Sequence, residues 1–143
     1  MSTDIFIHHR TVRFGECDPA GVVYYPVFFN WFHEAMEAWF EQELGISYAE
    51  VLETCGFPAA DISSQFRKPV QMGEEIMLHL LVEHLGRSSL ALRINVCDLQ
   101  GMQRATALVR CVCIGQSEDG FQFRPMEIPA ALRTEMQRFV ALG

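Results

Sequence analysis

Hydrophobic and polar positions change period several times along this chain, and each change predicts an element. Between residues 4 and 14, Phe6, His8, Arg10, Val12 and Phe14 alternate with Ile5, Ile7, His9, Thr11 and Arg13, the two-residue period of a strand. From Asn30 the step lengthens. Phe32, Ala35, Met36, Trp39, Phe40 and Glu43 recur at three and four residues, Trp31, Ala38 and Leu44 widen the stripe, and Glu34, Glu37, Glu41 and Gln42 form a polar side. Gly45 stands where such a helix stops. Alternation returns over 60–70, with Ile62, Ser64, Phe66 and Lys68 on one side, over 75–86, again around Leu90, Leu92, Ile94 and Val96, and over 104–115. Turns at 85–88 and 98–101 join the last three of these strands into an antiparallel meander, and 71–74 makes the turn before the first of them. Pro129 opens a final amphipathic segment with Leu132, Met136, Phe139 and Val140 on one helical face.

A helix as apolar as the one after Asn30 needs a concave partner. The order strand, helix, then four strands predicts an α+β fold in which a curved, antiparallel five-stranded sheet wraps a long central helix. With 143 residues, half of them hydrophobic, and no linker or repeat, the chain reads as one domain over 1–143.

Charge and cysteine content narrow the function classes. A formal net charge of −7 speaks against nucleic acid as a partner, because phosphate binding needs a basic face. The start MSTDIFIHHR lacks the pattern of a signal peptide, and the run 21–32 is too short and interrupted to span a bilayer. Five cysteines without disulfide or zinc spacing suit a reducing cytoplasm, with Cys111 and Cys113 acting as small hydrophobes on one side of a strand and no metal expected.

The candidate chemistry sits in the loop before the helix. Asp18-Pro19-Ala20-Gly21 is a turn sequence, so the Asp18 carboxylate is held rather than free. Pro26 fits the first turn of a short helix beginning near Tyr24 or Tyr25, whose unpaired amides would point back toward Asp18. On this local pattern alone Asp18 reads as an ordinary turn residue. Glu16 reads as a solvated loop charge and Cys17 as a packed thiol.

The run Cys17-Asp18-Pro19-Ala20-Gly21-Val22-Val23-Tyr24-Tyr25-Pro26 closely resembles the signature of the 4-hydroxybenzoyl-CoA thioesterase family of hotdog-fold proteins. The likeness extends over the helix, the turn Gly86-Arg87-Ser88-Ser89 and the stretch Arg124-Pro125-Met126-Glu127-Ile128-Pro129. It implies hydrolysis of an acyl-CoA thioester without a cofactor. Asp18 would attack the carbonyl or activate water, and the Tyr24 and Tyr25 amides would polarise the carbonyl oxygen. It further implies CoA contacts from Arg87, Ser88 and Arg124, with Arg67 and Lys68 as further cations, and an acyl wall of Tyr24, Trp31, His33 and Phe57.

The type enzyme reads the phenol hydroxyl with an acid on the helix and a threonine before the second strand. The matching positions here are His33 and Phe57, so the resemblance implies an aryl, arylacetyl or medium aliphatic acyl group rather than 4-hydroxybenzoyl itself. A related short-chain group carries histidine at Tyr25, and its absence here favours a mechanism resting on the aspartate alone. Relatives assemble as dimers or tetramers, which implies a homotetramer built from two dimers with sites at the dimer interface. Two other readings stay open: an acyl-CoA or acyl-carrier binder without turnover, and a hydratase or dehydratase using His33 with Glu37 one helical turn on.

Overall fold

The computed structural model describes residues 3–117 and 119–141. One long helix, α1 (Val27–Gln42), lies against an antiparallel sheet of five strands. The strands are β1 (Phe6–Thr11), β3 (Ala59–Phe66), β4 (Glu75–Leu85), β5 (Ser89–Asp98) and β6 (Gln103–Val112), in the spatial order β1-β4-β5-β6-β3. Inward residues are those the alternation selects. Ile76, Leu78, Leu80 and Val82 of β4 and Leu90, Leu92, Ile94 and Val96 of β5 are all buried, facing Trp31, Phe32, Ala35, Met36, Trp39 and Phe40 of α1.

The helix begins differently from the expectation. The turn at Tyr24 runs straight into α1, with Val27 N–H donating to the Tyr24 carbonyl at 2.9 Å and Phe28 N–H to that of Tyr25 at 3.2 Å. There is therefore one helix from Val27, with Pro26 already in helical conformation at its N-cap, rather than a short helix followed by a long one. Its far end is as expected: Gly45 has φ +75°, and Ile46 N–H returns to the Phe40 carbonyl at 3.2 Å, a left-handed C-terminal stop.

A second, three-stranded sheet was not foreseen. It pairs β2 (Cys55–Gly56), β7 (Ile114–Ser117) and β8 (Gly120–Pro125) in the order β2-β7-β8. The expected strand over 104–115 is thus two strands broken at Cys113, whose amide bonds to the Ser88 carbonyl at 2.7 Å and whose carbonyl accepts from Met126 N–H at 2.8 Å. Those partners belong to other segments, so nothing in the local alternation marks the break. The first strand is also shorter than expected, and Phe14 falls in a short 3-10 turn over Phe14–Glu16 with 81% of its surface exposed. Helix α2 (Tyr48–Val51) is capped by Ser47, whose hydroxyl accepts from Glu50 N–H at 3.2 Å. Helix α3 (Ala130–Met136) follows Pro129 and buries Leu132 and Met136, with Phe139 buried just beyond it.

Behind the site, Arg104 ties three loops together. Its Nη2 lies 2.9 Å from Glu74 and 3.1 Å from Asp98, and its Nη1 donates to the Pro69 carbonyl at 2.8 Å. The Met102 amide, then the Arg104 and Gln100 hydrogen bonds, hold the Asp98 carboxyl below its ordinary range against the effect of burial. Burial also opposes ionisation of Glu74, but Arg104 and the Gln71 amide outweigh it and lower that group as well. A depressed folded pKa gives stability that is complete above the unfolded value and lost as pH falls through the folded one. The thermal midpoint is therefore expected to decline as pH drops below about 4, and to decline less in Arg104→Gln, as scanning calorimetry across that range will show.

Candidate active site

The loop carrying Asp18 is a closed hairpin. Cys17 and Val23 form an antiparallel bridge, Asp18 N–H donates to the Val22 carbonyl at 2.9 Å, and Gly21 N–H to the Asp18 carbonyl at 2.9 Å. Gly21 takes φ +81°, a conformation a side chain would strain. Asp18 Oδ1 accepts from Ala20 N–H at 2.9 Å, while nothing among the described residues donates to Oδ2. The half-buried carboxylate is thus oriented through one oxygen and open at the other. The hairpin is stitched to the 70–72 segment, with Val23 N–H on the Val70 carbonyl at 2.8 Å and Met72 N–H on that of Gly21 at 3.0 Å.

Of the two amides expected to polarise a carbonyl, only one is open. Tyr24 N–H is committed to the Glu16 carbonyl at 3.0 Å, which removes it from that role. Among the described residues nothing accepts from the Tyr25 amide, and Pro26 has none to give. Tyr25 N–H therefore presents the start of α1, where the helix carries about half a unit of positive charge.

The expected acyl residues divide. His33 and Phe57 come together in a cavity of about 350 Å³, completed by Tyr48, Leu52, Gly56, Pro58, Ala59, Ile114 and Phe123. A smaller hollow of about 80 Å³ shares His33, Phe57 and Ala59 and runs beneath α1 to Leu92 and Cys111. His33 Nε2 lies 2.9 Å from Glu37, and its ring meets Tyr48 edge-on at 5.3 Å. Burial, reinforced by the charges at Cys111, Glu37 and Cys55, pushes the Tyr48 phenol up to about 12, so it stays neutral.

Trp31 is not part of that wall. It is 1% exposed, its indole donates to Glu16 at 2.8 Å and Arg10 covers its ring at 4.7 Å. Tyr24 is exposed and stacks edge-on with Tyr25 at 5.4 Å, away from the His33 cavity. Tyr25 itself lines a second cleft of about 290 Å³ with Val22, Val23, Phe28, Phe66, Arg67, Lys68, Pro69 and Val70. The two hollows lie at opposite ends of β3.

Arg87, Ser88 and Arg124 are brought to one strip of surface. The segment after Arg124 is bonded to the turn bearing the other two, with Ile128 N–H on the Arg87 carbonyl at 2.9 Å, and the guanidinium groups of Arg87 and Arg124 have no acidic partner among the described residues. Phe123, next to Arg124, lines the His33 cavity. Cys17 is unsuited to nucleophilic attack, because burial and then the charges of Glu16 and Asp18 raise its thiol. The sequence reading missed Tyr48, which no periodicity marks, and misread Glu16, whose partners come from β1 and α1.

A curved antiparallel sheet wrapped on one long helix is the architecture of the hotdog class of thioesterase-like proteins. The family model of the thioesterase-like superfamily matches residues 12–136, and the chain belongs to that superfamily. It is 30% identical over 130 residues to a 1,4-dihydroxy-2-naphthoyl-CoA hydrolase of Nostoc punctiforme, covering 90% of this chain and 87% of that protein. Among solved structures it is similar to a gentisyl-coenzyme A thioesterase, at 26% identity and TM-score 0.80 over 92% of this chain and 99% of the other. The dynemicin thioesterase superposes with TM-score 0.88 at 18% identity, covering 98% and 100% of the two chains, a likeness of fold. This chain is a thioester hydrolase. No helix among the described residues is long and apolar enough to cross a membrane.

Proposed function

We propose that the chain hydrolyses the thioester of an aromatic acyl-CoA, with Asp18 as nucleophile or general base. The observation that carries this is a carboxylate with one oxygen tied to its own turn and the other without a donor among the described residues, on the hairpin that leads into α1 and into the Tyr25 amide, for which no acceptor is found among those residues. As nucleophile, Oδ2 adds to the thioester carbonyl. The oxyanion is held by Tyr25 N–H, collapse expels CoA as thiolate, and water cleaves the resulting anhydride. As base, the same oxygen takes the proton of the attacking water. Neither route calls on a cofactor.

The acyl group enters the His33–Tyr48–Phe57 cavity, whose apolar walls suit a ring system and whose phenol and imidazole groups suit its hydroxyl groups. The names of the relatives, hydrolases of dihydroxynaphthoyl- and gentisyl-CoA, support this reading. Arg87, Ser88 and Arg124 hold the CoA phosphates. A reducing cytoplasm suits the five free cysteines.

The working unit is two copies. β3 is an open sheet edge, and its inward Ile62 and Phe66 remain 40% and 47% exposed. Antiparallel pairing of two β3 strands about a dyad sets the Tyr25 cleft of one copy, to which the Asp18 hairpin contributes Val22 and Val23, against the His33 cavity of the other. Two such pairs form the tetramer, for which Ile5, just before β1, and Ile7, within it, 49% and 42% exposed, supply apolar contact.

Thiol release from dihydroxynaphthoyl-, gentisyl-, benzoyl- and acetyl-CoA tests the activity. The hydroxyaryl esters are expected to turn over fastest, whereas binding by calorimetry with no thiol released from any ester would make the chain a binder. Inactive Asp18→Asn and cavity-filling Ala59→Trp proteins, mixed and allowed to exchange subunits, are expected to recover about a quarter of wild-type activity, because each heterodimer keeps one unblemished site. No recovery would place both halves of the site in one copy.

A further inference from the structure

We propose that Glu16 is a positioning residue for hydrolysis, clamping the Asp18 hairpin to the start of α1; the proposal rests on Asp18 being the reacting carboxylate. Glu16 Oε2 lies 2.8 Å from Arg10 on β1 and 2.8 Å from the Trp31 indole nitrogen on α1, and Oε1 accepts from Arg13 N–H at 2.8 Å. Its backbone carbonyl holds Tyr24 N–H at 3.0 Å. One residue thus touches the strand before the hairpin, the helix after it, and both chain ends where the hairpin begins and finishes. The side chain is 20% exposed and that of Arg10 13%, so the pair is shielded from water.

The hairpin tip closes on itself through the Asp18, Ala20 and Gly21 bonds, so it does not need Glu16 in order to form. What Glu16 fixes is the direction in which the folded tip points relative to α1. The carbonyl bond to Tyr24 adds a second consequence: it aligns the chain so that the next amide, Tyr25, is the one left open. A displacement of the acid by about 1 Å costs on the order of a hundredfold in rate, and a clamp of charged hydrogen bonds to two rigid elements limits such displacement.

The test uses Glu16→Gln, which keeps the size and an acceptor oxygen but loses the charge facing Arg10, Glu16→Leu, which loses both, and Trp31→Phe, which removes the indole donor. With a hydroxyaryl-CoA ester, kcat is expected to fall by roughly tenfold or more in Glu16→Gln and further in Glu16→Leu, with KM changed by less than about threefold. Glu16→Gln combined with Trp31→Phe is expected to cost little more than the worse single change, since both break one clamp. The Trp31 indole N–H resonance, identified by its loss in Trp31→Phe, is expected to shift in Glu16→Gln whatever the activity. A fall in thermal midpoint with kcat intact, or single effects that multiply, would reduce Glu16 to a stabilising contact and overturn the proposal. A wild-type protein that releases no thiol would instead remove the hydrolase reading, and the positioning role with it. An unmoved indole resonance would refute the clamp by itself.

Discussion

Asp18→Asn is expected to lower kcat by about a thousandfold, the scale of losing a nucleophile or general base, with KM within a few fold of wild type. Asparagine is nearly isosteric, and its side-chain oxygen still accepts from Ala20 N–H, so the hairpin keeps its shape. What disappears is the anionic oxygen that adds to the carbonyl or draws a proton from water. The substrate still meets the Tyr25 amide and the distal cavity, which is why binding survives. Steady-state thiol release, with the thermal midpoint measured alongside, checks both parts. A variant that retains a tenth or more of the rate would transfer the chemistry to some other group.

Trp39→Ala is expected to destabilise the fold by about 3–5 kcal/mol. Trp39 has no exposed surface and meets Phe40 and Phe139 edge-on, each at 5.6 Å, so it joins α1 to the C-terminal segment after α3. Against a total of roughly 5–15 kcal/mol for a domain of this kind, the loss takes a large share of what holds it folded. Its indole nitrogen is buried without an acceptor among the described residues. Trp39→Phe removes that unsatisfied donor along with some volume, and is expected to cost less than half as much as the alanine change. Urea unfolding of the three proteins orders them; equal midpoints for alanine and wild type would contradict the central place given to this ring.

Legibility of the fold followed the range over which each signal acts. The stripe from Trp31 to Phe40 picked out residues that are buried, apart from the half-buried Ala38, and the glycine stop at 45 needed no more than its own φ. Glu43, taken with the stripe, instead reaches Arg138 at 2.8 Å, a partner from the far end of the chain. The break at Cys113 was invisible because alternation continues on both sides of it, while the bonds that turn the strand come from Ser88 and Met126.

The site divides in the same way. A turn sequence dictates its own conformation, so Asp18 was found as a held acid from four consecutive residues, and the resemblance gave that acid a role. Trp31 looked available for an acyl wall because its face of α1 is apolar; it is spent on Glu16 and Arg10, a competition that only the folded chain stages.

By itself, then, the order of residues determined the period of each element, where the helix ends, and the presence of an anchored carboxylate just before it, because those depend on neighbours within a few positions. Tertiary structure alone decided which amide remains open, that Glu16 grips strand and helix together, and that the two hollows stand at opposite ends of an edge strand. Those outcomes depend on which of several able partners reaches a given hydrogen-bonding group first in space, and distance along the chain carries no record of that.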